Sequence, residues 1–126
     1  MKINSFKIIE YLYYLSLISL IIIYLFPGSL IGYLIYGDLG RQPKLIDSLI
    51  GTSINHFFYF IFLTIIVLIL NTRHSKTLTN VYFIFLLAIV LELGHLIVPN
   101  RSFEFYDLLA NITGVLIPIF VKKVVK

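Results

Sequence analysis

Glu92 and His95 stand three residues apart inside a long apolar run, and His56 stands near the start of another. Arg101 follows just past the first of these runs, and Asp107 and Asn111 open the next. Ionisable side chains are costly in hydrocarbon and are kept there with a partner or a task. Carboxylates and imidazoles can act as general acids and bases or hold a metal ion. An arginine fork suits a phosphate or carboxylate.

The elements that position these residues follow from composition. The 126 residues are 60% hydrophobic and only 13% charged, far more apolar than a soluble domain of this length needs. There is room for a single membrane domain, residues 1–126, and none for a separate soluble one. With no cysteine there is no disulfide framework, thiolate metal site or cysteine nucleophile. The net charge of +4 lies in short tails and short loops rather than in a patch or stripe, which argues against nucleic acid. Lys2 and Lys7 resemble the start of a signal peptide. The run from Ile8 to Phe26 is too long for one and ends at Phe-Pro-Gly-Ser-Leu without a small-x-small site, so it reads as a retained membrane helix.

A bilayer core needs roughly 20 apolar residues per helix. Four segments approach that length: 8–26, 53–70, 80–98 and 106–121. Pro27-Gly28 stops the first, a polar run from Asn71 to Thr77 the second, Pro99 the third, and the lysines from Lys122 to Lys126 follow the fourth. The expectation is an all-α membrane protein, a bundle of four transmembrane helices. Lys2, Lys7, Arg73, Lys76, Lys122, Lys123 and Lys126 fall on one side of it, and Arg41, Lys44 and Arg101 on the other. That bias places both termini in the cytoplasm. Tyr11, Tyr13 and Tyr82 then mark the inner interface, and Tyr24 and Tyr106 the outer one. Residues 27–52 form a long outer loop, with an apolar stretch from Leu30 to Tyr36 too short to span.

In this topology His56, Glu92, His95, Arg101, Asp107 and Asn111 converge on the outer leaflet. Glu92 lies roughly 10 Å below the Pro99 end. Glu92 and His95 share a helix face, as do Thr52, His56 and Tyr59. Asp107, Asn111, Gly114 and Pro118 form a polar-to-small stripe that allows close helix approach. An outward-open polar pocket is the economical arrangement.

Plainer roles stand beside each functional one. Glu92 and His56 could hydrogen-bond each other and hold the bundle together. Arg101 could pair with Glu104 or Asp107 at the surface. Asp107 could cap its helix, and Asn111 and Thr113 could bridge helices. Glu10 and Lys7 read as a snorkelling pair, and His74 as a solvated loop residue. His56, Glu92 and His95 make a two-histidine, one-carboxylate set with Asp107 as a fourth donor, but the spacing is no zinc signature. The spacing alone therefore assigns no metal, with His56, Glu92 and His95 as weak candidates, and leaves any cofactor open. No phosphate-cradling loop, nucleophile elbow or redox motif occurs.

The stretch His56-Phe57-Phe58-Tyr59, then Glu92, Pro99, Arg101, Asp107, Asn111 and Gly114, resembles the VanZ-like family of small bacterial membrane proteins. That family carries a His-Phe-x-x-Tyr-like start to one helix, then Glu-x-x-Gln, an outer Pro-Gly-Arg, and Asp-x-x-x-Asn-x-x-Gly. The similarity covers roughly residues 45–120. Three positions depart: His95 replaces the glutamine, Asn100 stands where glycine is usual, and Thr52-Ser53 stand where an Asp-Lys pair is common. The resemblance implies a multi-pass protein of the bacterial cytoplasmic membrane, linked to teicoplanin-type resistance or surface polysaccharide, with no established reaction.

Three functions follow as expectations. The first is recognition of a lipid-linked glycan or phosphate head group, or of a lipoglycopeptide, with Arg101 on the anion and Glu92, His95 and His56 on the pocket floor. The second is a small membrane hydrolase or transferase on a lipid-linked phosphate, with Glu92 or His56 as general base. The third is a scaffold subunit of a polysaccharide assembly complex. A homo-oligomer would relieve the small interior volume of so short a bundle.

Overall fold

The structure, a computed structural model, describes residues 4–72 and 76–125. The expectations for Lys2, Arg73, His74 and Lys126 lie outside the described residues. Among those described there are helices and no strands: α1 Ser5–Leu25, α2 Leu30–Tyr36, α3 Gly51–Leu70, a 3₁₀ turn Thr77–Thr79, α4 Val81–Gly94 and α5 Phe105–Val125.

Three of these helices are long and apolar enough to cross a membrane: α1, α3 and α5, with mean hydropathies of 2.0, 2.2 and 1.8. Their outward faces carry Leu15, Ile18 and Ile22 on α1, Phe58, Phe62 and Ile65 on α3, and Ile117, Phe120 and Val121 on α5, all exposed. A soluble monomer does not display apolar surface on this scale. A lipid-facing one must, so the chain is a membrane protein.

Inside, Tyr13, Leu17, Leu20 and Tyr24 of α1 form a stripe at helical spacing. It packs with Phe60, Leu63 and Val67 of α3, Ile84, Ala88 and Leu91 of α4, and Val115 of α5. Helices α3 and α5 pack most extensively. The reason is Gly114. A Cβ there would lie 2.6 Å from the Phe57 carbonyl oxygen and 2.9 Å from Phe60 Cβ. The polar-to-small stripe of α5 is indeed the buried one: Asp107, Asn111, Gly114 and Pro118 all face inward.

The third apolar run differs from expectation. Helix α4 has 14 residues and ends at Gly94, not near residue 98. At 1.5 Å per residue it is about 21 Å long, short of a hydrocarbon core of about 30 Å. Glycine is a poor helix former, and Pro99 disfavours helical backbone at the residue before it. The chain therefore leaves α4 through tightened turns, with the amides of His95, Leu96 and Ile97 bonding the carbonyls of Glu92, Leu93 and Gly94. His95 consequently caps α4 rather than lying within it.

Other placements are also corrected. Tyr13 and Tyr24 are core residues, not interface anchors, while Tyr11, Tyr82 and Tyr106 are exposed. Tyr13 donates its hydroxyl to the Leu78 carbonyl. Glu10 pairs with Lys76 rather than with Lys7. The apolar stretch from Leu30 to Tyr36 is the short helix α2, capped by Ser29 Oγ, which accepts from the Gly32 amide at 2.9 Å.

Candidate functional site

The end of α1, the start of α3, the end of α4 and the start of α5 meet at one end of the bundle. His56, Glu92, His95, Arg101, Asp107 and Asn111 all come together there. Glu92 and Asn111 are fully buried, and His95 and Asp107 nearly so.

Asn111 sets the pattern. Its amide nitrogen donates to the Ala88 carbonyl at 3.2 Å, which fixes the side chain's orientation. Its oxygen therefore faces Tyr24, whose hydroxyl donates to it at 2.8 Å. The Tyr24 oxygen also lies 2.7 Å from His56 Nδ1. A phenol has one proton, and here it is spent on Asn111, so His56 must donate from Nδ1. That ring nitrogen stands 3.7 Å from Asp107 Oδ2. The other Asp107 oxygen, Oδ1, accepts from the Ser53 hydroxyl, so Asp107 is held across to α3 rather than folded back as a cap.

A second chain of bonds centres on Glu92. Its Oε1 accepts from the Glu104 amide at 3.1 Å, which ties the end of α4 to the start of α5. The same oxygen faces His95 Nδ1 at 3.3 Å. His95 Nε2 lies 3.1 Å from the Tyr24 carbonyl, an acceptor only, so Nε2 carries a proton. The imidazole also stacks on the Tyr24 ring, 5.1 Å between centroids and 16° between planes. Glu92 Oε2 is buried and has no hydrogen-bond partner among the described residues. Glu92 and His56 share no hydrogen bond, but each offers a donor atom, with one from Asp107, inside a 4.8 Å cluster. His95 is outside that cluster, so the candidate set of His56, Glu92 and His95 gives way to one histidine and two carboxylates.

Arg101 closes this end. It does not pair with Glu104 or Asp107. Its Nε and Nη2 donate to the carbonyls of Phe26 and Ile23 at 3.3 and 3.0 Å, where the end of α1 leaves acceptors unpaired. Burial lowers the guanidinium pKa from its ordinary value, while Tyr24, Glu92, Asp107 and Glu104 pull it back up. Arginine remains charged throughout. Burial and the neighbouring Asp107 and Glu92 carboxylates raise the pKa of Glu104.

Arg101, His56, His95 and Tyr24 line a cavity of about 100 Å³. Leu20, Ile23 and Ile31 give it apolar walls, and Gln42 and Pro43 of the long loop cover one side. That loop is anchored by Asn55, whose amide donates to the Pro43 carbonyl at 2.8 Å. Such a volume exceeds what a single water needs and suits a small polar head group. Thr52 and Tyr59 line it with His56, as their shared face implies. Thr113 does not bridge helices, because its hydroxyl returns to the Leu109 and Ala110 carbonyls of its own helix.

Tyr24 and Ser53 are the site residues that sequence reasoning misses. The signal for Tyr24 is present: it lies on the inward stripe with Leu17 and Leu20, so its hydroxyl had to meet a buried partner. The fold and site define a helical membrane protein with a buried acid–imidazole network at one end. Comparison with protein-family models, curated proteins and solved structures finds no match for this chain.

Proposed function

We propose that this chain is a VanZ-like protein of the bacterial cytoplasmic membrane, and that its site end takes the anionic head of an envelope amphiphile. Four passes with both termini in the cytoplasm turn that end outward, in keeping with the Lys and Arg bias. The ligand is the phosphate or sugar-phosphate head of a lipid-linked glycan, or a lipoglycopeptide.

Arg101 carries this reading. It lines the cavity with Tyr24, His56 and His95, and its bonds to Ile23 and Phe26 use only Nε and Nη2, which leaves the Nη1 edge for a ligand. The apolar walls beside it suit the first carbons of a lipid tail. Two further features support the family reading. Asn100 adopts φ 58°, the left-handed conformation that would favour the family's glycine there. Gly114 sits where a Cβ would strike α3. The departure at Ser53 falls on a residue bonded to Asp107, so this chain is suited to a different ligand from relatives with lysine there.

A hydrolase or transferase is the second reading, favoured by the unpartnered Glu92 Oε2, an acceptor available to a substrate proton. The test is teicoplanin tolerance in a susceptible Gram-positive host at matched membrane levels. The intact chain should raise tolerance, and Arg101→Ala should abolish the gain. Glu92→Gln should abolish it under the enzyme reading and weaken it less under the binding reading. If the intact chain changes nothing, the resistance role fails.

A further inference from the structure

We infer that His56, Glu92 and Asp107 form a binding site for one divalent first-row transition cation, a property separate from head-group recognition. Each residue comes from a different helix: α3, α4 and α5. One donor atom from each lies within 4.8 Å of the other two. His56 Nδ1 and Asp107 Oδ2 are 3.7 Å apart. Bonds of about 2.0–2.2 Å around a tetrahedral ion set donors about 3.3 to 3.6 Å apart, so the His56–Asp107 pair is already close to that spacing, the cluster has to tighten around the ion, and the fourth position is left to water or a ligand.

The independent sign is on Glu92. It is fully buried, its Oε1 is engaged by the Glu104 amide and His95, and its Oε2 has no partner among the described residues. A buried carboxylate oxygen normally accepts at least one hydrogen bond. An ion bound through Oε2 would satisfy it. The surroundings also resemble a supporting shell. Ser53 holds Asp107 by its other oxygen, and His95 and Glu104 hold Glu92. One nitrogen and carboxylate oxygens suit zinc or manganese rather than copper(I), which prefers sulfur. Coordination through Nδ1 requires the His56 proton to move to Nε2, while Tyr24 keeps its proton on Asn111.

The test uses the full chain, purified in detergent, stripped with a chelator and titrated with Zn²⁺ alone. The expected result is one zinc per chain by elemental analysis, with a ¹⁵N shift on His56 as the metal binds. Glu92→Gln and Asp107→Asn should each weaken binding more than tenfold. Glu10→Gln, at the opposite end of the bundle, should not. If Glu92→Gln loses its helical signal, Asp107→Asn decides, because its amide oxygen can still accept from Ser53. The ¹⁵N readout needs no variant. Zinc that leaves the His56 shift unchanged, zinc retained by Asp107→Asn, or no stoichiometric zinc on the native chain would each overturn the inference.

Discussion

Tyr24 decides how the candidate site is protonated, although it carries no charge at neutral pH. The Ala88 carbonyl fixes the Asn111 amide, Asn111 takes the phenol proton, and His56 is left to donate from Nδ1. Tyr24→Phe would strand Asn111 Oδ1 and His56 Nδ1 in a buried place. The expected cost is about 1–3 kcal/mol of stability, measured by denaturant unfolding in micelles. The same variant should mix the two neutral His56 tautomers in ¹⁵N NMR, whereas the native chain should hold one. An unchanged tautomer ratio would remove Tyr24 from the network. The charged and amide members of the site are legible in the sequence, because His56, Glu92, His95, Asp107 and Asn111 interrupt apolar runs. Their pairings are not legible. They depend on how α1 is rotated against its neighbours, and tyrosine is as suited to an interface as to a polar core.

Among the elements, the apolar runs give the three helices long enough to cross a membrane, α1, α3 and α5, nearly to their ends. They miss the end of α4, because an apolar run continues through Val98 while the backbone has already left the helix. Composition alone does not separate a helix from the apolar turns that follow it. It also leaves α2 undefined, a seven-residue helix that depends on Ser29 and on the loop folding back over Gly32. The α3–α5 contact is where an element-scale test is sharpest. Gly114→Ala would push its Cβ against the Phe57 carbonyl and Phe60, and backbone has little room to yield. We expect about 1–3 kcal/mol of destabilisation. Gly40→Ala, whose Cβ meets only Asp38 Oδ1 at 3.4 Å, should cost far less. Equal effects in unfolding experiments would contradict a tight crossing at Gly114.

At the scale of the whole molecule, the antiparallel helices gather every element of the polar network at one end and leave Glu10 and Lys76 at the other. The proposed orientation makes the network end external. A reporter fused after Val125 should therefore be active in its cytoplasmic form and silent in its exported form. A cysteine placed at Leu49, which is 94% exposed in the long loop, should react with a membrane-impermeant reagent on intact cells.

The proposed function requires the cavity lined by Arg101 to receive an anionic lipid head. The most direct measurement is native mass spectrometry of the full chain titrated with a polyprenyl phosphate and, in parallel, with the uncharged polyprenol. One phosphate lipid per chain is expected, with weak or no retention of the alcohol. Arg101→Ala should lose at least tenfold in affinity if the proposed function holds, since a charge-assisted bond contributes about 1.5–3 kcal/mol. Equal retention of both lipids, or undiminished binding by Arg101→Ala, would contradict it.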